Sequence, residues 1–282
     1  MNRSTCSLLV CGASFAGIGA AKAALEANRD VIVVERTALP GREFIEAFNP
    51  GAGWKPPATE FGLRFREELL GRNLMEEYGP AHLAALHPLL CLLVKRYSIR
   101  VRFLTELVDV SRRDGRFEVM LHDASGSHTV VADTILDTST RRLTTPGSLA
   151  ASKRKWMRAY LHHPDIRNAP LPEPIDDTMS ASRGRFPSEA ILRMEIAPDE
   201  GPGQARRRLY AYWEARPAPW KLWTIAAIAG EFESDVPQGP FEQGDGWSWL
   251  PSEALSNPLN ALDAGYDYMN RKAVRMRDAT TK

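Results

Sequence analysis

LLVCGASFAGIGAAKAALEANRDVIVVER, residues 8–36, is the stretch whose reading decides the fold. SLLVC is a short apolar run of the kind that forms a buried parallel strand, and it breaks at Gly12. From Phe15 the chain carries small or apolar residues at Ala16, Gly19, Ala20, Ala23 and Ala24, the pattern of a helix packed closely on a sheet. DVIVVE reads as a second strand that ends in an acid. Strand, glycine turn, helix, strand and terminal acid within about 30 residues form the context in which a glycine pattern signals a dinucleotide site.

Gly12, Ser14 and Gly17 stand where G-x-G-x-x-G has three glycines. Gly12 permits the tight turn out of the strand, and Gly17 lets the helix approach the sheet. The middle position faces the pyrophosphate, which rests on the N–H groups and dipole of the helix N-terminus. A serine adds only CH₂OH there, and its hydroxyl can donate to a phosphate oxygen. Glu35 lies where an acid hydrogen-bonds the adenosine ribose, and it would repel a 2′-phosphate. That argues against NADP. A short-chain dehydrogenase has its first two glycines one residue closer than Gly12 and Gly17. The Y-x-x-x-K formed by Tyr268 and Lys272 lies ten residues from the chain end, with no strand and helix order to bring it to a nicotinamide. That reading is set aside.

The rest of the composition narrows the class. The chain has 282 residues, 44% hydrophobic and 25% charged, with a net charge of +1. This is an ordinary globular composition, with no electrostatic reason to expect nucleic acid or an anionic membrane as partner. No apolar run approaches the length of a membrane span, and MNRSTCSLLVCGA flows into the glycine turn rather than building a signal peptide. The cysteines, Cys6, Cys11 and Cys91, form no C-x-x-C, so neither a disulfide framework nor a redox pair is indicated. The cytoplasm is the default compartment. No His and Cys cluster has metal-ligand spacing, and no G-x-S-x-G points to a hydrolase.

FGLRFREELLGRNLMEEYG and PAHLAALHPLLCLLVKRY have helical spacing. Residues 99–140 then change period and read as a strand, a crossing strand, a hairpin at Asp114-Gly115, a return strand, a turn at Gly126 and another strand. ADTILD closes this region as a short buried strand. Beyond it, residues 146–177 are basic and then proline-rich, which predicts surface helix and loop. SEAILRMEIA, PGQARRRLYAYWEARP and KLWTIAAIAGEFE read as strand, helix and strand.

In three segments the chain resembles the glutathione-reductase-like FAD-binding flavoproteins. The first is GASFAG with VVER; the second is the meander ending in ADTILDTST. The third is GDGWSWLPSEALSNPLNALDAGYDYMNRKA, which looks like that family's closing Gly-Asp motif. The resemblance implies an α/β fold: a Rossmann-like FAD-binding domain, its parallel sheet carrying an inserted antiparallel meander, plus a small α+β substrate domain. Residues 1–142 and 241–282 would form the first and residues 143–240 the second. It implies that Asp245 meets the flavin ribityl chain and that the helix after Asn257-Pro258 faces the isoalloxazine. It also implies that the Gly-rich loop FNPGAGWKPP brings Trp54 or Lys55 to the ring. The candidate cofactor-binding set is Gly12, Ser14, Phe15, Ala16, Gly17, Glu35, Arg36, Trp54, Val108, Thr138, Asp245, Asn257 and Leu259. Thr138-Ser139-Thr140 lacks the family's glycine, and Asn257-Pro258 replaces a glycine-bearing helix start.

The implied function is that of an FAD-dependent oxidoreductase, a dehydrogenase or monooxygenase working by hydride transfer at flavin N5 on a small organic substrate. The alternative is a flavin-binding subunit or regulator whose site a partner protein completes. A homo-oligomer and a partner subunit both stay open. Catalytic residues are poorly signalled: His87, His162, His163 and Lys55 have suitable chemistry.

Overall fold

The computed structural model describes residues 3–145, 154–167, 169–171, 173 and 177–280. The chain opens with strand β1 (Arg3–Cys11), helix α1 (Phe15–Glu26) and strand β2 (Val31–Val34). The short helix α2 (Arg42–Ile45) and the longer α3 (Glu60–Gly71) and α4 (Leu83–Arg96) follow. Strand β3 (Val101–Arg102) leads into β4 (Glu106–Arg113), β5 (Arg116–Asp123) and β6 (Gly126–Asp137). The middle of the chain forms β7 (Lys155–His162), β8 (Met179–Arg183), β9 (Glu189–Ile196), α5 (Pro202–Glu214), β10 (Thr224–Ile228) and β11 (Glu233–Ser234). Strands β12 (Phe241–Gly244) and β13 (Trp247–Trp249) precede the last helix, α6 (Pro258–Thr280).

Five parallel strands in the order β13-β6-β1-β2-β3 make the first sheet, with β12 antiparallel on its edge. In register, Cys11 pairs with Val34 on one side and Asp137 on the other, and Asp137 pairs with Trp249. The carboxyl ends of four strands therefore lie level, which is where an open parallel sheet binds ligands. The strands are buried on both faces, as their unbroken apolar runs require. Leu8, Val10, Val31, Val33 and Leu136 face a core shared with α1, α3, α4 and α6. Leu9, Cys11, Ile32, Val34 and Ile135 face the opposite way, against Phe117, Val119 and Leu121 of the meander. The meander β4-β5-β6 is antiparallel, and its hairpin turns at Asp114 and Gly115 as the sequence suggests.

Helix α1 is wedged between sheet and α6. A Cβ on Gly19 would lie 2.0 Å from the carbonyl oxygen of Leu262, and a Cβ on Gly265 would lie 2.0 Å from that of Ala16. The two helices thus touch backbone to backbone, a contact that only glycine at both crossings permits.

The second sheet, in the order β10-β7-β9-β8 with β11 also paired to β7, is antiparallel. Here the structure corrects the sequence reading of residues 146–177. Residues 155–162 form β7, which pairs with β9, β10 and β11. Met157, Ala159 and Leu161 alternate into a core closed by Ala205, Leu209 and Trp213 of α5. The basic residues Lys155, Arg158 and His162 hid that period of two. Arg158 is buried, but both it and Arg193 pair with Glu233, so its charge is compensated. Residues 146–153, part of the same expectation, lie outside the described residues. Tyr160 and Ile191 on the sheet's other face pack against the first core, with Tyr160 edge-on to Phe48.

Candidate cofactor and substrate site

A cavity of about 890 Å³ opens at the carboxyl end of the parallel sheet. One wall is the glycine turn after β1 and the ends of the neighbouring strands, with Gly12, Ser14, Glu35, Arg36 and Thr138. The other is the second sheet, its loops and α5, with Lys155, Met157, Arg206 and Phe232.

The turn has the geometry its residues dictate. Gly12 takes φ +102°, a conformation other residues rarely adopt, and a Cβ on Gly17 would lie 2.2 Å from the Gly12 carbonyl oxygen. Ser14 caps α1: its Oγ accepts from the Gly17 N–H at 2.9 Å and its hydroxyl donates to Thr138 Oγ1 at 2.7 Å. Thr138 in turn donates toward the carbonyls of Cys11 and Gly12, both at 3.1 Å. The segment 138–145 is held by Asp137, fully buried, whose carboxylate accepts from the N–H and hydroxyl of both Ser139 and Thr144. Burial raises the Asp137 pKa, and those four donors oppose the rise. The side-chain network ties this loop to the end of β6.

Glu35 is buried and faces the cavity. Its Oε2 accepts from the Ala13 N–H at 3.0 Å, and its Oε1 accepts from the N–H and hydroxyl of Thr37 at 2.9 and 2.8 Å. These bonds fix the carboxylate beside the turn, and Oε2 keeps lone-pair capacity for a ribose hydroxyl.

The first N–H groups of α1 have a partner that the sequence reading missed. The Phe15 N–H donates to Glu43 Oε1 at 2.9 Å, and Ser252 donates its hydroxyl to the same oxygen at 2.6 Å. The Ala16 N–H donates to Ser252 Oγ at 3.2 Å. Burial pushes the Glu43 pKa up to about 7, opposed by the bonds from Ser252 and Phe15 and reinforced by the nearby Glu35 charge. Glu253, the next residue of the same turn, also lines the cavity and accepts from the Ser234 N–H at 2.7 Å. Burial pushes its pKa up to about 8. No local pattern marks Glu43 or Ser252, because the contact joins residues from three distant segments. Glu253 was within reach: it follows the strand WSW, whose last residue, Trp249, is level with Asp137.

The other sequence candidates scatter. Asp245 is corrected outright. It sits in the β12–β13 turn before Trp247, at the amino end of β13, with its side chain 94% exposed and Arg112 3.4 Å away. A parallel strand presents its carboxyl end to the crevice, so an acid preceding β13 faces the wrong end. Trp54 and Leu259 are buried in the main core. Asn257 is fully buried; its Oδ1 accepts from the Asn260 N–H and caps α6, while its Nδ2 donates to the carbonyls of Ala52 and Gly53. The loop 51–53 thereby lies across the start of α6. Val108 is exposed on β4. Lys55 and His162 are exposed, and His163 is buried with its ring against Trp223. His87 lies on α4 with Cys91 Sγ 3.8 Å from its Nε2. None of these four lines the cavity. Tyr268 and Lys272 do meet, both bonding Ser248 Oγ, but on a side of the sheet away from the cavity lining. Among the described residues, no group of three or more His, Cys, Asp or Glu is arranged to hold a metal ion.

No protein-family model and no curated protein matches the sequence. Solved structures do match the fold. Against p-nitrophenol 4-monooxygenase PnpA from Pseudomonas putida DLL-E4 the TM-score is 0.65 at 14% identity, covering 97% of this chain and 79% of that one. Aklavinone-11 hydroxylase, solved with FAD and aklavinone, gives 0.63 at 15% identity; it covers 98% of this chain, which spans only 64% of the hydroxylase. A geranylgeranyl bacteriochlorophyll reductase-like protein from Thermoplasma acidophilum gives 0.63 at 12% identity, covering 98% and 80%. The chain has the fold of FAD-binding Rossmann-type flavoproteins.

Proposed function

We propose that this protein is an FAD-dependent oxidoreductase acting on a small organic molecule, with the substrate held between the nucleotide turn and the second sheet. The observation that carries the reading is the continuous cavity, walled by Gly12, Ser14, Glu35 and Thr138 on one side and by Lys155, Met157, Arg206 and Phe232 on the other. We place the chain beside the flavin hydroxylases, within the wider group of glutathione-reductase-like flavoproteins. The hydroxylating activities in two of the names above support a monooxygenase over a plain dehydrogenase. We further propose that residues 1–142 with 241–282 form the cofactor domain and 143–240 the substrate domain, a division that follows sheet membership.

The adenosine half of a dinucleotide fits the residues present: the turn lets backbone approach, and Glu35 offers a fixed acceptor to the ribose. The phosphate position fits only when the Glu43 carboxylate leaves the helix N-terminus. FAD, when bound, supplies hydride transfer at its flavin ring. The chain's own contribution is binding, orientation and proton placement. Glu253 holds a proton at neutral pH because it is buried, and it borders the cavity as a hydrogen-bond donor toward a ligand. Met157, Phe232 and Val236 supply the apolar wall.

The test is a flavin titration of the full chain, read by quenching of flavin fluorescence, alongside Glu35→Ala. Loss of the ribose hydrogen bonds should weaken FAD and ADP alike, by roughly ten- to hundredfold. A protein that binds NAD and ignores FAD overturns the proposal.

A further inference from the structure

In a Rossmann-type turn the first N–H groups of the helix carry positive partial charge with no intrahelical partner, and an anion is the natural occupant. Here that occupant is part of the chain. The Phe15 N–H goes to Glu43, the Ala16 N–H to Ser252 and the Gly17 N–H to Ser14. Ser252 also donates to Glu43, so carboxylate, hydroxyl and helix end form one closed set. A carboxylate and a pyrophosphate cannot share these donors, since the two like charges would lie within a few ångströms in a buried site.

We infer that Glu43 is an internal stand-in for the cofactor's phosphate, and that its side chain must swing out of the α1 N-terminus before a pyrophosphate-bearing ligand can dock. The inference rests on the dinucleotide reading of the cavity above. The fold provides the means for the movement. Glu43 sits on α2, a helix of one turn, and borders the cavity, so a change of side-chain rotamer carries the carboxylate into that space. Its acidic neighbours disfavour its charged form. Glu35 at the end of β2 and Glu253 on the turn after β13 are both acids facing the same space. On α2, Arg42 is engaged by Glu46 and Glu231 rather than by Glu43. On the loop after Thr138 and at the end of β2, Arg141 and Arg36 line the cavity and are placed to meet the displaced carboxylate or the incoming phosphates. Helix α1 offers no titratable group at this end: its first three residues are Phe15, Ala16 and Gly17.

Loading should therefore depend on the Glu43 charge. FAD's pyrophosphate keeps a constant charge through neutral pH, so any gain in its affinity on acidification belongs to the protein. Burial holds the Glu43 proton up to about pH 7, which places the change in the neutral range.

The experiment measures affinity for FAD, ADP and adenosine in the full-length wild type, Glu43→Gln and Glu43→Ala, with thermal melting to confirm that each is folded. Glu43→Ala should bind FAD and ADP at least about tenfold more tightly than the wild type at pH 8, a gain of about 1.4 kcal/mol. Adenosine, which has no phosphate, should change less than about twofold. Glu43→Gln keeps an acceptor for the Phe15 N–H and removes the charge; it should show the same direction and lose the wild type's tightening toward pH 6. Should Glu43→Ala fail to fold, Glu43→Gln alone decides. Unchanged or weaker FAD and ADP binding in a folded variant overturns the inference and leaves the flavoprotein reading standing if the wild type binds FAD. If neither the wild type nor either variant binds FAD or ADP, the flavoprotein reading itself fails. A gain shared equally by adenosine refutes a phosphate-seat role, because only a general loosening of the cavity would produce it.

Discussion

Replacing Gly265 by alanine should destabilise the protein through backbone contact alone. The added Cβ would stand 2.0 Å from the Ala16 carbonyl oxygen, 2.6 Å from its carbon and 2.7 Å from its Cα. All three are main-chain atoms, so no rotamer change relieves the clash. To reach ordinary contact at 3.4 Å, α6 and α1 must part by about 1.4 Å along that direction. Parting them loosens Ala16 and Ala20 against Ala261 and Leu262, all buried. Overpacking of this kind costs about 1–3 kcal/mol, occasionally more. Against it stands a helix-propensity gain of about 1 kcal/mol for Gly→Ala. Because the added Cβ meets only main-chain atoms, the upper part of the range applies, and a net loss of about 2 kcal/mol is expected. In a chain of this size that lowers Tm by about 4–8 °C. Urea unfolding followed by far-ultraviolet circular dichroism measures it, with Gly71→Ala as the control. Gly71 ends α3, and a methyl added there would meet nothing within 4 Å, so that variant should be neutral or slightly stabilised. If Gly265→Ala is as stable as Gly71→Ala, the helix contact is not what holds α1 in place.

Stability should also fall with rising pH across neutrality. Glu43 and Glu253 keep their protons in the folded chain up to about pH 7 and about pH 8, whereas in the unfolded chain they ionise near 4.5. The folded state then binds more protons in that window, so their contribution is full below pH 4.5 and is lost as pH rises through the two folded values. For Glu43 alone the ceiling is about 3 kcal/mol. Melting scans across this range should show the decline, and Glu43→Gln with Glu253→Gln should flatten it; a flat wild-type profile refutes the assignment. Asp245→Ala should leave FAD and ADP binding within about twofold of the wild type, because the residue is an exposed turn acid whose contact with Arg112 is worth little. A loss of FAD affinity without a loss of ADP affinity would return Asp245 to the site.

The legible part of this fold was the local part. The first strand, turn and helix declare themselves because each residue's role depends on neighbours within one turn of chain. Ser14 caps the helix it precedes, and Gly17 meets the carbonyl of Gly12. The place of Asp245 was not legible, since a Gly-Asp pair gives no sign of which end of its strand faces the crevice. Only the pairing of Trp247 with Ile135 and of Trp249 with Asp137 settles that. Glu43 and Ser252 were hidden for another reason. They sit 28 and 236 positions from the amides they hold, and nothing local distinguishes them from surface residues. Strand β7 was masked by its charges: one face carries Arg158, paired with Glu233, where an apolar residue would have revealed the alternation.

The first sheet draws its strands from both ends of the chain, with β13 beside β6 and α6 against α1. On a ribosome, β1, α1 and β2 precede the rest, yet residues 135–137 of β6, beyond the reach of β5, lack a partner on one edge until residues 247–249 are made. The alanine-rich flank of α1 has no cover until residues 261–265 follow. Through that interval the nascent chain exposes an unpaired strand edge and an apolar helix, the surfaces most prone to wrong association. The second sheet takes no strand from either end and can close meanwhile. If each sheet closes once its strands are made, the middle sheet forms first and the turn at Gly12 to Gly17 is covered only when α6 has followed.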